Sequence, residues 1–215
     1  MTAFKSVVLD VDSTVCAVEG IDWLAEQRDA SIAASVSALT ADAMESRVPL
    51  DDVYDRRLAI IGPTRDEIAQ LAQVYIETAM PGAKAAIGEW RAAGVRVLLV
   101  SGGLRDAILP LAEWLCLTPD DVYAVEIEYN DHGVAVAARR DAALARRGGK
   151  PLVVSSLALL RPMLAVGDGA TDAELAPIVD CFLAFTGVAR RTSVVERAAD
   201  EVTDFASLTP IVLGS

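Results

Sequence analysis

Histidine is almost missing from this chain. The single one, His132, sits in Asn130-Asp131-His132-Gly133, a pattern that reads as a hairpin-like turn, so imidazole-based catalysis has little to work with. Cysteine is also scarce: Cys16, Cys116 and Cys181 are odd in number, far apart and set in apolar surroundings. They form neither a disulfide framework nor a zinc site, and buried free thiols are expected. Positive charge is in deficit, with 19 Lys and Arg against 31 Asp and Glu and a net charge of −12. Such a field repels polyanions and argues against a nucleic-acid or anionic-membrane surface as partner. A small anionic substrate stays open, provided local cations or a metal reverse the field inside a cleft. No apolar run approaches the roughly 18 residues of a transmembrane helix. The chain opens directly on its first apolar run without a signal-peptide pattern, so the cytoplasm is the expected location.

What is present is apolar. With 215 residues, 53% of them hydrophobic, and a mean hydropathy of +0.37, the chain has enough material for one substantial core and a smaller satellite domain. Its first run, Val7-Val8-Leu9, stops on Asp10-Val11-Asp12-Ser13-Thr14. That reads as a buried strand delivering two carboxylates to its carboxyl end, where open α/β sheets bind ligands. On this octet alone a plain Asp-Ser-Thr turn is an equal reading. Two later stretches break the tie, Val97-Leu98-Leu99-Val100-Ser101-Gly102-Gly103 and Met163-Leu164-Ala165-Val166-Gly167-Asp168-Gly169-Ala170-Thr171-Asp172. Each is again an apolar run ending in groups suited to a phosphate and a metal.

Between the first two runs, residues 17–78 carry helical periodicity with no convincing strand. Ile21, Leu24 and Ala25, then Val53, Leu58 and Ile61, then Ile68, Leu71, Ala72 and Tyr75 give three apolar stripes. This predicts a helical domain, 17–78, inserted into a core of 1–16 and 79–215. The core is expected to hold a strand over 95–100, a helix over 104–115 and a hairpin pairing 122–128 with 134–137. Beyond a polar break at 146–150 come a short helix, strands near 164–166, 181–184 and 201–203, and helices over 191–198 and 205–213. Strands alternating with helices predict an α/β fold, Rossmann-like, with a mostly parallel sheet covered on both faces.

Magnesium prefers oxygen ligands and takes one or two carboxylates beside substrate phosphate, which suits Asp10 and Asp168 at their strand ends. Carboxylates facing a phosphate dianion at about 4 Å repel by roughly 4 kcal/mol per charge pair at an effective dielectric near 20, so positive charge is needed nearby. Lys150, after Gly148-Gly149, is a candidate, since the glycines allow close backbone approach to a ligand; taken alone it reads as an exposed loop lysine.

The order Asp-Val-Asp-Ser-Thr, helical segment, Ser-Gly-Gly, Lys, Gly-Asp-Gly-Ala-Thr-Asp resembles the haloacid dehalogenase superfamily phosphatases from Val7 to about Asp172, and within them the phosphoserine phosphatases. The resemblance implies that Asp10 is a nucleophile forming an aspartyl phosphate, and that Asp12 protonates the leaving alkoxide and then activates water. It implies that Ser101 and Lys150 hold the phosphoryl group, with Gly102 and Gly103 beside it. It further implies that Asp10, Asp168 and the main-chain carbonyl of Asp12 bind Mg2+, supported by Asp172. Glu19 and Arg57 match positions facing the amino and carboxylate groups of phosphoserine, Met44 an apolar contact, and Thr171 and Arg191 substrate-side positions. Without the resemblance, Glu19 and Arg57 read as solvated helix charges.

Two departures stand out. Ala124-Val125-Glu126-Ile127 replaces the family's Ala-Asn-x-Leu, and the stretch from Lys150 to Asp168 is short and holds Pro151 and Pro162. A dinucleotide-binding reading of Gly167-x-Gly169 fails, because Asp172 stands where a third glycine belongs. A noncatalytic phosphate-binding relative would be expected to lack Asp10 or Asp12. The serious competitor is a phosphatase or phosphotransferase acting on another small phosphomonoester. Oligomeric state is left at monomer or homodimer.

Overall fold

The structure is a computed structural model and describes residues 3–44 and 50–214, the side chains of 40–44 and 50–52 excepted. Strand β1 (Ser6–Leu9) is followed by helices α1 (Gly20–Glu26), α2 (Ala30–Met44), α3 (Leu50–Ile61) and α4 (Arg65–Glu77). Next come α5 (Ala83–Ala92), β2 (Arg96–Leu104), α6 (Arg105–Trp114), β3 (Val122–Val125), β4 (Ile127–Tyr129) and β5 (Ala135–Ala138). The chain ends with α7 (Gly149–Ser156), β6 (Met163–Gly167), α8 (Ala170–Ala173), β7 (Cys181–Phe185), α9 (Thr192–Val195), β8 (Asp200–Val202) and α10 (Phe205–Leu213).

Among the described residues the main sheet has six strands in the order β3-β2-β1-β6-β7-β8, every neighbouring pair parallel. Strands β1 and β6 are buried along their whole length, as a parallel sheet covered on both faces requires. Alternate residues feed opposite faces. Val7, Leu9, Val97, Leu99, Leu164 and Val166 join one core cluster, while Val8, Leu98, Val100 and Ala165 join the other. The chain runs from β1 outward through β2 to β3 and then returns to lay β6 on the other side of β1. The order therefore reverses at β1, and the crevice beyond the carboxyl ends of β2, β1 and β6 is where such sheets place ligands.

The chain segments before α1 and after α4 run side by side. Cys16 and Ala79 form an antiparallel bridge, the Ala17 amide donates to Thr78 O at 2.9 Å, and the Met80 amide donates to Val15 O at 2.8 Å. Gly62, at φ +55°, ends α3 in a conformation that side chains resist, and Thr64 then opens α4 with a capping box closed by Glu67. Helix α4 packs along α6 of the core.

Several local expectations change. The expected strand over 95–100 runs on through Ser101-Gly102-Gly103 to Leu104, so the Ser-Gly-Gly stretch is strand rather than loop. The expected hairpin is divided: β3 joins the main sheet, and only β4 pairs with β5. Periodicity could not separate them, because both are short apolar alternations and only their partners differ. The β4–β5 pair lies against α3, with the Ala138 amide donating to Asp55 Oδ1 at 2.8 Å. Helix α9 is one turn, not the span 191–198. Among the thiols, Cys16 is buried as expected, whereas Cys116 is exposed and Cys181 half-buried.

Candidate active site

Strand β1 stops at Leu9, but the Asp10 amide still donates to Val166 O at 3.0 Å, extending the ladder one residue and fixing Asp10 against β6. The chain then turns sharply. The amides of Thr14, Val15 and Cys16 all converge on Val11 O, and Ser13 takes φ +51°. Val11 is thereby buried while Asp10 and Asp12 both face one pocket, of about 360 Å3.

Lys150 is not the exposed loop residue that its local sequence suggests. It sits in the first turn of α7 and is 4% exposed, its ammonium 2.7 Å from Asp10 Oδ1 and in contact with Asp172 Oδ1. Burial works against its charge, but Asp10 and Asp172 overcome that and raise its pKa. The glycines before it serve the chain rather than a ligand: a Cβ on Gly149 would strike the Ala143 carbonyl. Asp172 accepts from the Gly169 amide at 2.9 Å through Oδ2. Its carboxyl is pushed up by burial and by Asp10, against the pull of Lys150.

Asp168 follows β6 directly and is buried. Thr14 Oγ1 donates to its Oδ1 at 3.3 Å, and Arg191 contacts its Oδ2 and, at 3.3 Å, its main-chain carbonyl. The other end of that guanidinium lies 3.5 Å from Glu19 Oε1, which also accepts from Ser13 Oγ at 2.6 Å. Loss of water around the Glu19 carboxyl raises its pKa, with Asp10 adding to the effect and Ser13 and Arg191 opposing it.

Asp12 is held by the Gly20 amide at 2.7 Å and the Tyr75 hydroxyl at 2.8 Å, both on Oδ1. Its other oxygen accepts from Ser101 Oγ at 3.4 Å. Burial, then Glu19 and Asp10, push its carboxyl up to about 7, while the Gly20 and Tyr75 donors pull the other way. Asp12 is thereby poised to exchange a proton near neutrality.

The carboxylates of Asp10, Asp168 and Asp172 each place an oxygen within 4.8 Å of the others. Asp10 Oδ1 and Asp168 Oδ2 are buried and meet cations, Lys150 and Arg191, rather than neutral donors. An all-oxygen carboxylate set of this kind fits a hard divalent cation.

The pocket wall gathers Asp10, Asp12, Glu19, Arg57, Ser101, Gly102, Gly103, Lys150, Asp168, Thr171 and Arg191 from well-separated stretches of sequence. Asp172 stands behind Lys150. The side chain of Met44 lies outside the described residues. Val125, which replaces the family asparagine, is fully buried in β3 and takes no part in the pocket wall. Sequence reasoning did not find Tyr75, Gly20, Ser13 or Tyr54, whose hydroxyl donates to Gly102 O at 2.9 Å. In the sequence Tyr75 reads as one more apolar residue of the α4 stripe, and its hydroxyl is the one feature that sets it apart from Ile68, Leu71 and Ala72.

Comparison with known proteins agrees with this geometry. Residues 7–177 match the family model of the haloacid dehalogenase-like hydrolases. The phosphoserine phosphatase of Rattus norvegicus is 33% identical over 206 residues, covering 94% of this chain and 91% of its own, and that of Homo sapiens is 32% identical over the same span. In fold, the chain is similar to a phosphoserine phosphohydrolase-like protein from Francisella tularensis, with a TM-score of 0.86 at 22% identity, covering 99% of this chain and 100% of that one. The chain thus belongs to the haloacid dehalogenase-like hydrolases, is a phosphatase of that family, and is similar in sequence to the phosphoserine phosphatases within it.

Proposed function

We propose that this enzyme hydrolyses O-phosphoserine to serine and phosphate, with Mg2+ as cofactor and an aspartyl phosphate on Asp10 as intermediate. The observation that carries the reading is the pairing of Asp10, held at 2.7 Å by Lys150, with Asp12, poised near neutrality, in one pocket. An Asp10 carboxylate oxygen bonds to phosphorus while the bond from phosphorus to the serine oxygen breaks. The electron pair goes to that oxygen, which takes a proton from Asp12. Asp12, now a carboxylate, removes a proton from water as its oxygen attacks phosphorus and the bond to Asp10 breaks. Both halves need positioning and charge stabilisation more than new chemistry.

Lys150 and Ser101 hold the phosphoryl oxygens in this reading, with Gly102 and Gly103 keeping the strand end close to them. Asp10, Asp168 and the main-chain carbonyl of Asp12 hold Mg2+, with Asp172 fixing Lys150 behind them. The metal supplies positive charge where carboxylates and a phosphate dianion would otherwise repel. Glu19 faces the substrate ammonium and Arg57 its carboxylate. The paired crossing at Cys16 and Ala79 supports treating 17–78 as a cap on a core of 1–16 and 79–215. Among the described residues no helix is long and apolar enough to cross a membrane, which is compatible with a cytoplasmic setting.

The test is a panel of small phosphomonoesters incubated with purified protein and magnesium. O-phosphoserine should be the best substrate, and exhaustive chelation should abolish turnover until magnesium is restored. Faster release from another ester would reassign the substrate, transfer of phosphate to a second alcohol would make the enzyme a phosphotransferase, and full activity after chelation would remove the metal.

A further inference from the structure

The two oxygens of Asp12 have different surroundings. Oδ1 takes both strong donors, the Gly20 amide and the Tyr75 hydroxyl, at 2.7 and 2.8 Å. Oδ2 has the Ser101 hydroxyl at 3.4 Å, and Ser101 lines the pocket. A carboxyl group whose Oδ1 already faces two donors has no acceptor there for a proton of its own, so an acidic hydrogen belongs on Oδ2.

Tyr75 is well placed to enforce this. It is fully buried on α4, which packs along α6 of the core, and its own carbonyl accepts from Cys16 Sγ at 3.2 Å. Its phenol is the donor of the pair, since a carboxylate oxygen offers only lone pairs. The approach is close enough that a Cβ on Gly20 would strike the Tyr75 hydroxyl. Glycine at the start of α1 is therefore what lets hydroxyl and amide share one oxygen.

We propose that Tyr75 is a positioning residue for the acid step: with Gly20 it occupies Oδ1 of Asp12 and so reserves Oδ2 as the oxygen from which the leaving alkoxide takes its proton. The proposal rests on the reading of Asp12 as the acid. A terminal sp3–sp2 torsion such as the carboxyl χ2 is broad and two-fold. Held by the Gly20 amide alone, the carboxyl can turn, and its proton is then presented to the leaving group only part of the time.

Tyr75→Phe keeps the ring and removes only the hydroxyl. The measured quantity is kcat/KM, which covers the steps up to departure of the leaving group. It is compared on O-phosphoserine, whose alkoxide needs a proton, and on acetyl phosphate, whose acetate leaves without one. Tyr75→Phe should lose about tenfold or more on phosphoserine and less than about twofold on acetyl phosphate, as expected for a weakened general acid. Gly20→Ala, which drives a methyl group into the hydroxyl, should give the same pattern. A merely structural tyrosine would lower the melting temperature and both rates together, and that result, or no loss on either substrate, overturns the tether. Asp12→Asn on the same pair separates the underlying reading. If it loses equally on both substrates, the acid assignment fails and the tether with it; if it prefers phosphoserine and Tyr75→Phe does not, the tether alone fails.

Discussion

Asp10 is surrounded by charge of its own sign, and this decides what its removal does. Asp12 and Asp172 both have carboxyls pushed upward in part by the Asp10 charge. Asp10→Asn relieves that repulsion, while Lys150 keeps its contact with Asp172. The variant should lose turnover by on the order of 10^4 or more, as nucleophile deletions do. Its melting temperature should equal or exceed the parent's, the usual relation between a strained site and stability. Turnover near the parent rate would remove Asp10 as nucleophile, and a large fall in melting temperature would make its pairing with Lys150 structural. The residues legible in the sequence share one property. Asp10, Asp12, Ser101, Asp168 and Asp172 each stand within a few residues of an apolar run, so their place at a strand end is a local pattern. Tyr75 was illegible because its partner lies 63 residues earlier, and nothing near it in sequence says that its hydroxyl has work to do.

Helix α4 shows how one side chain can tie an element to its neighbours. Glu67 closes the capping box with Thr64 and also takes both guanidinium ends of Arg28, at 2.5 and 2.7 Å, from the segment just after α1. The Arg28 hydrogen bonds hold its carboxyl down at about 2, below the usual 4.5. A depressed carboxyl stabilises the fold above its unfolded pKa, and the contribution disappears as pH falls through the folded value. Glu67→Gln retains a capping-box side chain and removes the charge. It should cost about 1 kcal/mol near neutrality, discounted for the solvent that still reaches the pair. Urea denaturation across a pH series should show that difference intact above about pH 5 and fading between about 4.5 and 2. A gap independent of pH would assign the effect to packing instead. Helices α1, α3 and α4 are legible in the sequence as the three apolar stripes, with Gly62-Pro63 between the second and the third, whereas α2 contributes no such stripe. The division of β3 from the β4–β5 hairpin was not visible, because strand partners are chosen by the tertiary structure.

For the whole molecule, the question is why the pocket should close on one substrate rather than any phosphate ester. The lower wall, from β1, β2, α7 and β6, carries the carboxylates, Ser101 and Lys150, which in the proposed reaction meet only the phosphoryl group of the substrate. The remaining wall comes from the helices between β1 and β2. It offers Glu19 just ahead of α1 and Arg57 on α3, where the guanidinium carbon lies 5.8 Å from the Tyr54 ring centroid. Tyr54 in turn grips Gly102 of the lower wall at 2.9 Å, so the two walls are joined beside the spot where the phosphoryl group would sit. Phosphoserine brings an ammonium and a carboxylate as well as phosphate. A closed pocket must pair both, since a substrate charge left buried without its partner costs roughly 2 to 5 kcal/mol. Arg57→Ala should therefore lower kcat/KM for phosphoserine far more than for phosphoethanolamine, which lacks the carboxylate. Glu19→Gln should weaken both, because both carry the ammonium. Equal losses on the two esters in Arg57→Ala would make that arginine a structural support of α3. Specificity for phosphoserine would then have to come from the core side of the pocket, whose lining adds Arg146, Arg147, Arg191 and Arg197 to Lys150 among the described residues.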